Sequence, residues 1–279
     1  MSLWYSLCEL LPLEFLSMDF MKNALLAVLV ISPLFGLLSP MVVTGKMSFF
    51  SDALGHSAFT GIAIGVLCGL SLPILSAVVL AVAFALLFSY VKTRSRHTSD
   101  TIIGVFSSTA VALGIFIATL GGSSFTKFNT YLIGDILSVT GAEIGLLALV
   151  FLVVLVVWAL ASNRLMLPAV HPQLASSRGF SVGGAETIFT VLIAVVVTLS
   201  MSWVGLMVIN SLLVLPAAAA RNVAKNLRQY TLFSLLFALV GGLAGLITAY
   251  YVGASAGAAI SLYLALGFVL TFLLRKKRG

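Results

Sequence analysis

Long apolar runs, each broken by a short cluster of polar, glycine or proline residues, recur along all 279 residues of the chain. A helix crosses a bilayer core with about 20 apolar residues, so runs of that size read as transmembrane helices. Nine are found, at residues 24–43, 57–72, 74–91, 102–120, 142–161, 187–203, 205–220, 231–251 and 257–274, the second and seventh being short. The break between Leu70 and Pro73 is only a few residues long, and the segment from Gly45 to Asp52 could be re-entrant, so eight or ten spans stay open. The expected fold class is all-α: a polytopic integral membrane protein of about eight to nine transmembrane helices, forming a single domain over residues 1–279.

Composition narrows the class further. Of all residues, 61% are apolar and 8% charged, against about 25% charged in a soluble domain. A mean hydropathy of +1.19 is spread over the whole length, which excludes a soluble globular enzyme and a disordered chain. The 15 Lys and Arg outnumber the 8 Asp and Glu, but in a membrane chain the placement of positive charge reports topology rather than nucleic-acid binding. With the C-terminus in the cytoplasm, all basic residues except Lys22 and Lys127 fall inside, including the tail Arg275-Lys276-Lys277-Arg278. Cys8 and Cys68 lie far apart without metal-ligand spacing and read as apolar filler. Residues 1–22 carry Glu9, Glu14 and Asp19 and no basic leader, and read as an amphipathic lead-in. The longest polar stretch, 162–185, contains Pro168, Pro172, Gly179, Gly183 and Gly184 and reads as a cytoplasmic loop holding one short helix.

The chain has no glycine-rich phosphate loop: Gly45-Lys46 is followed by Met47, with Pro40 where such a loop would begin. Any ATP-binding subunit would be a separate chain. Carboxylates inside the spans, which a proton or sodium pump needs, are few.

Asp52 and His56 stand out because ionisable groups in a span are costly and mark sites. Spaced i, i+4, they share one helix face with Cβ atoms about 6 Å apart. Carboxylate and imidazole are ligand types for manganese, iron and zinc. Two ligands are too few for a four- to six-coordinate ion, so a shared site would need the same pair from a symmetry mate, water or carbonyls. The alternative is an intrahelical Asp–His hydrogen bond at a helix start. Elsewhere, Asp100 reads as an N-cap, Ser107, Ser108 and Thr109 as a polar path or as partners of helix carbonyls, and Asp135 as the cap of a short external segment. Asn210 reads as interhelical glue, and Gly205 with Pro216 marks a kinked or mobile helix. His97 and His171, among basic or proline-rich residues, are poor ligand candidates.

The stretch Lys46-Met47-Ser48-Phe49-Phe50-Ser51-Asp52-Ala53-Leu54-Gly55-His56-Ser57 resembles the signature of the ABC-3 permeases, the membrane subunits of bacterial zinc, manganese and iron uptake ABC transporters. The similarity continues in Ser99-Asp100-Thr101-Ile102-Ile103-Gly104, Tyr131-Leu132-Ile133-Gly134-Asp135 and Gly205-Leu206-Met207-Val208-Ile209-Asn210-Ser211, and covers essentially the whole chain. It implies a multi-pass plasma-membrane permease without catalytic activity or a permanently bound cofactor, with zinc or manganese, or iron, as transported ion. Asp52 and His56 fall on the family's metal-coordinating pair at a dimer interface. Partners implied are a cytoplasmic ATP-binding cassette subunit that hydrolyses the ATP, an extracytoplasmic metal-binding protein, and a second permease, identical or sister. Residues 171–179 resemble the family's coupling helix. Gly55, where Ser is usual, and Asp135, where a small polar residue or Asn is common, depart from the pattern. An ion-gradient secondary transporter and a non-transporting scaffold are the competing readings.

Overall fold

The computed structural model describes residues 2–9, 14–70, 72–120, 135–179 and 181–275. Lys127, residues 131–134 of the third motif and the end of the basic tail lie outside them. The described residues form eleven α-helices: α1 Ser2–Glu9, α2 Asp19–Thr44, α3 Phe50–Leu67, α4 Pro73–Arg94, α5 Ser99–Leu120, α6 Gly141–Val170, α7 Pro172–Ser177, α8 Val182–Val204, α9 Leu206–Val223, α10 Leu227–Val252 and α11 Ala256–Leu273. Single 3-10 turns lie at Glu14–Ser17 and Ile136–Ser138. Among the described residues nine helices, all but α1 and α7, are long and apolar enough to cross a membrane, as the apolar runs predict. Helices suit a bilayer because every backbone N–H and C=O is satisfied within the segment.

Two boundaries differ from the pattern. The second span begins at Phe50 rather than 57: Phe50, Ala53 and Leu54 are fully packed, so the helix runs through the polar Ser51, Asp52 and His56. The stretch 162–185 is mostly helix. Leu165 and Met166 bury their side chains and carry α6 to Val170. Ser181 Oγ accepts from the Gly184 N–H at 3.1 Å, so α8 starts ahead of the glycine pair's expected loop. Of the described residues in this stretch, 171–179, with α7 among them, and Ser181 lie outside the two long helices.

Contacts divide the chain into two packing units. The first comprises residues 1–40, 135–156 and 203–279. Its lead-in is tied down, with Trp4 Nε1 donating to the Lys22 carbonyl at 2.9 Å and the Tyr5 hydroxyl to Asn23 Oδ1 at 2.8 Å. Lys22 Nζ lies 3.3 Å from Asp19 and 5.1 Å from the centre of the Tyr5 ring. Small residues let the spans close: a Cβ at Gly245 would sit 2.4 Å from Ile260 Cα. Hydroxyls bridge helices, Ser234 Oγ to the Gly36 carbonyl at 2.8 Å and Ser211 Oγ to Ser261 Oγ at 2.7 Å. Pro216 inside α9 disturbs its backbone ladder, and the Ala217 N–H donates to Ser39 Oγ at 3.2 Å, a side-chain substitute of the kind that makes proline tolerable in a span.

The second unit comprises residues 41–134 and 157–202. Here α3 packs against both α4 and α5. At Gly61 a Cβ would lie 2.5 Å from Ala77 Cα, so only glycine allows this approach. Ser76 Oγ donates to the Gly61 carbonyl at 2.7 Å, and Thr60 Oγ1 to the Ala110 carbonyl at 2.7 Å. Phe50 packs on Phe88 with ring centroids 4.7 Å apart. At the far end, Cys68 caps α3 and is exposed, whereas Cys8 is buried.

At the other end of the unit, Lys92 of α4 forms an ion pair with Glu186 of α8, with side-chain exposures of only 17% and 26%. Lys92 Nζ also donates to the Gly45 carbonyl at 3.4 Å. This turn between α2 and α3 is a Schellman motif: Met47 N–H bonds the Val42 carbonyl at 3.0 Å, Lys46 N–H bonds the Val43 carbonyl at 3.3 Å, and Lys46 takes the left-handed position at φ 55°.

Two outcomes are expected from this packing. Gly61→Val should lower the unfolding temperature of the purified protein, at a cost of about 1–3 kcal/mol, whereas Gly104→Ala, into open space, should leave it unchanged or raised. Lys92→Met alone should destabilise more than Lys92→Met with Glu186→Met, because the single change strands a half-buried carboxylate; melting curves of the three proteins decide it.

Candidate metal-binding edge of α3

Asp52 is the third residue of α3 and His56 lies one turn further on. The carboxylate is in the first turn, where the positive end of the helix dipole favours it. His56 Nε2 is 3.6 Å from Asp52 Oδ2, with side chains 32% and 48% exposed. That separation is too long for a hydrogen bond, which speaks against the intrahelical bond between the two. It does match the wide end of what two donors on one tetrahedral ion allow: bonds of about 2.0–2.2 Å place adjacent ligand atoms about 3.3–3.6 Å apart.

The rest of α3 makes this edge distinctive. From Ser51 to Gly65 every residue is buried except Asp52, His56 and Ile64. The close contacts at Gly61, Thr60 and Phe50 fix the roll of the helix, so the one accessible strip of its first two turns carries the two potential ligands. A buried face of this kind with an open polar edge is what a pathway or a second chain would meet. Among the described residues no three His, Cys, Asp or Glu side chains are grouped to hold an ion. The described residues bring together two side chains of ligand type, 3.6 Å apart.

The remaining candidates take structural positions. Asp135 Oδ1 accepts from the Leu137 N–H at 3.0 Å and caps the Ile136–Ser138 turn, as expected. The cap of α5 differs: Thr98 Oγ1 accepts from the Thr101 N–H at 3.4 Å, and Asp100 sits inside the first turn, so the hydroxyl two residues earlier takes the capping role. Thr109 Oγ1 donates to its own helix at the Val105 carbonyl, 2.8 Å away, and lines an otherwise apolar groove of about 440 Å³ with Ser57 and Thr60. Ser107 is half-buried and Ser108 exposed. Asn210 is half-buried in α9, and its neighbour Ser211 bonds Ser261 of α11. His97 and His171 are exposed, and neither joins a ligand group among the described residues.

Helix α7 opens on Pro172 and is followed by Gly179 at φ 76°. Ala175 is buried, whereas Leu174 is 45% exposed, an apolar side chain displayed on a short element. The Lys92–Glu186 pair escapes sequence reasoning: its members are 94 positions apart and no local spacing joins them.

Known proteins bear directly on this arrangement. The zinc uptake membrane protein ZnuB of Haemophilus influenzae is 30% identical over 202 residues, 72% of this chain and 77% of that protein. The manganese import permease ScaB of Streptococcus gordonii is 30% identical over 215 residues, 77% of each chain. The solved structure of PsaBC from Streptococcus pneumoniae in complex with Fab superimposes with a TM-score of 0.79 at 28% identity, covering 94% of both chains. With residues 17–275 matching the family model, the chain belongs to the ABC 3 transport family, as a multi-pass membrane permease.

Proposed function

We propose that the chain, as one permease domain over residues 1–279, imports a divalent transition metal, zinc or manganese, as the membrane subunit of an ABC transporter. The carrying observation is the edge of α3, where Asp52 and His56 are the accessible polar pair on a helix otherwise packed from Ser51 to Gly65. Relatives named for zinc and for manganese support the ion class and leave both metals in play. A second permease, a copy or a sister chain, would supply the matching pair across a shared axis. Doubled, two carboxylates and two imidazoles suit tetrahedral zinc, and with water they suit the larger coordination of manganese. The ion is cargo, so few ligands are an advantage: it is held long enough to be selected and released without a deep trap.

Energy comes from a separate ATP-binding cassette subunit, since this chain has no phosphate loop. The segment 171–179 is its docking element in this reading, with α7 presenting Leu174. A short helix bounded by Pro172 and Gly179 moves as a rigid piece, which transmits closure of the ATPase pair to α6 and α8 at either end. An extracytoplasmic metal-binding protein delivers the ion on the opposite side.

Radiolabelled zinc and manganese uptake in cells that also express the ATPase tests the site. At matched membrane levels, Asp52→Ala and His56→Ala should each lower uptake tenfold or more, the scale on which lost ligand contacts weaken metal sites, and competition between the ions should identify the cargo. Uptake retained in both variants would remove these residues from the pathway, and uptake without the ATPase would point to an ion-gradient transporter. Leu174→Asp should reduce the ATPase that co-purifies with the permease while leaving the permease's own melting temperature unchanged; undiminished co-purification would place docking elsewhere.

A further inference from the structure

The segment 171–179 is slung between two arms, the end of α6 and the start of α8. Both arms border one cavity of about 280 Å³: Leu165 and Pro168 line it from α6, Val182 and Glu186 from α8. The same cavity is lined by Gly45, in the turn ahead of α3, and by Lys92, third from the end of α4. A displacement of either arm therefore acts on space that Lys92 and this turn share.

One side chain joins these parts. Lys92 pairs with Glu186, the fifth residue of α8, and its Nζ donates to the Gly45 carbonyl at 3.4 Å. An ammonium has three donors and no acceptor, so it can hold a carboxylate of one element and a carbonyl of another at once. The same Nζ lies 5.8 Å from the centre of the Phe88 ring, and Phe88 packs on Phe50, the first residue of α3, with ring centroids 4.7 Å apart. Glu186 is thus connected to the start of α3 by two short routes through one lysine, both within the second unit.

The start of α8 is fastened to the end of α4 on either side of this pair. Ser89 Oγ and Thr187 Oγ1 share a hydrogen bond, and Thr93 Cγ2 lies 3.6 Å from where a Cβ on Gly183 would sit. Replacing a shielded ion pair by apolar residues of similar volume often leaves packing as stable or better, so holding α4 against α8 does not require the charges. What the ammonium adds is reach to a third element, the turn before α3.

We propose that Lys92 is a positioning residue for transport: it carries displacement of the segment 171–179, received through α8 and Glu186, to the turn ahead of α3 and so to the edge that bears Asp52 and His56. Contiguous chains of ion pairs and packed rings are the physical means by which two separated sites are coupled. The inference rests on the reading of 171–179 as the docking element of the ATPase. It is independent of whether zinc or manganese is the cargo.

The test uses the complete transporter, the permease with its ATPase and binding protein, in proteoliposomes, and reads zinc or manganese taken up per ATP hydrolysed. Lys92→Arg keeps the charge and the donors. Lys92→Met with Glu186→Met removes both charges while keeping the helices packed. Lys92→Glu with Glu186→Lys restores the ion pair but sets a carboxylate against the Gly45 carbonyl. Ions per ATP should fall about fivefold in the double Met variant, within the range by which residues between two sites alter their coupling, while ATPase co-purification, hydrolysis rate and melting temperature stay close to wild type. The Arg variant should keep the wild-type ratio, and the reversed pair should remain low because the link to the turn is missing. An unchanged ratio in the double Met variant, or recovery in the reversed pair, overturns the inference while leaving the docking reading intact. Uptake by the wild type with no ATPase present would instead overturn the docking reading, and the inference with it.

Discussion

Inside a bilayer core there is no water to drive apolar faces together, so helices associate by close van der Waals fit and by hydroxyls that reach a neighbour's carbonyl. The contact between α3 and α4 is of this kind. Gly61 lets the two backbones meet at Ala77, and Ser76 Oγ donates to the Gly61 carbonyl. Thr60 does the same toward α5. These contacts spend the small residues of α3 on its neighbours and fix its rotation about its own axis. The orientation of Asp52 and His56 follows from that rotation and from nothing local to the two residues. A helix rolled by one position would turn both side chains by about 100° into the packed face.

The same economy explains the polar groups at the helix ends. Lys92 and Glu186 would each be costly alone at their burial, and together they join α4 to the start of α8 while Lys92 also holds the turn before α3. The ion pair, the Schellman turn and the Phe50–Phe88 contact lie within a few residues of one another in the second unit. The N-terminal end of α3 is therefore held by three different kinds of interaction, whereas its first-turn carboxylate remains accessible.

Much of this was legible in the sequence, for identifiable reasons. Spans announce themselves by twenty-residue apolar runs, and the i, i+4 spacing of Asp52 and His56 places them on one face whatever the tertiary context. The start of α3 was not legible, because the apolar run begins at Ser57 and leaves Ser51, Asp52 and His56 outside it, while helix formation there depends on the burial of Phe50, Ala53 and Leu54. The end of α6 was misread for the same reason: Leu165 and Met166 outweigh Asn163 and Arg164 only once something packs against them. The cap at Thr98 in place of Asp100 turns on a shift of two residues that composition does not resolve. Pairing of Lys92 with Glu186 is a property of the folded chain alone.

The two cysteines differ in a way that has a practical consequence. Cys8 is packed away, while Cys68 closes the opposite end of α3 from Asp52 and is open to reagents. Sixteen residues of helix separate them, about 24 Å of a nearly rigid rod. A fluorophore or spin label on Cys68 would ride on the helix that carries the proposed ligands without touching them, so rotation or tilt of α3 during a transport cycle could be followed spectroscopically in the natural sequence, with no engineered attachment point.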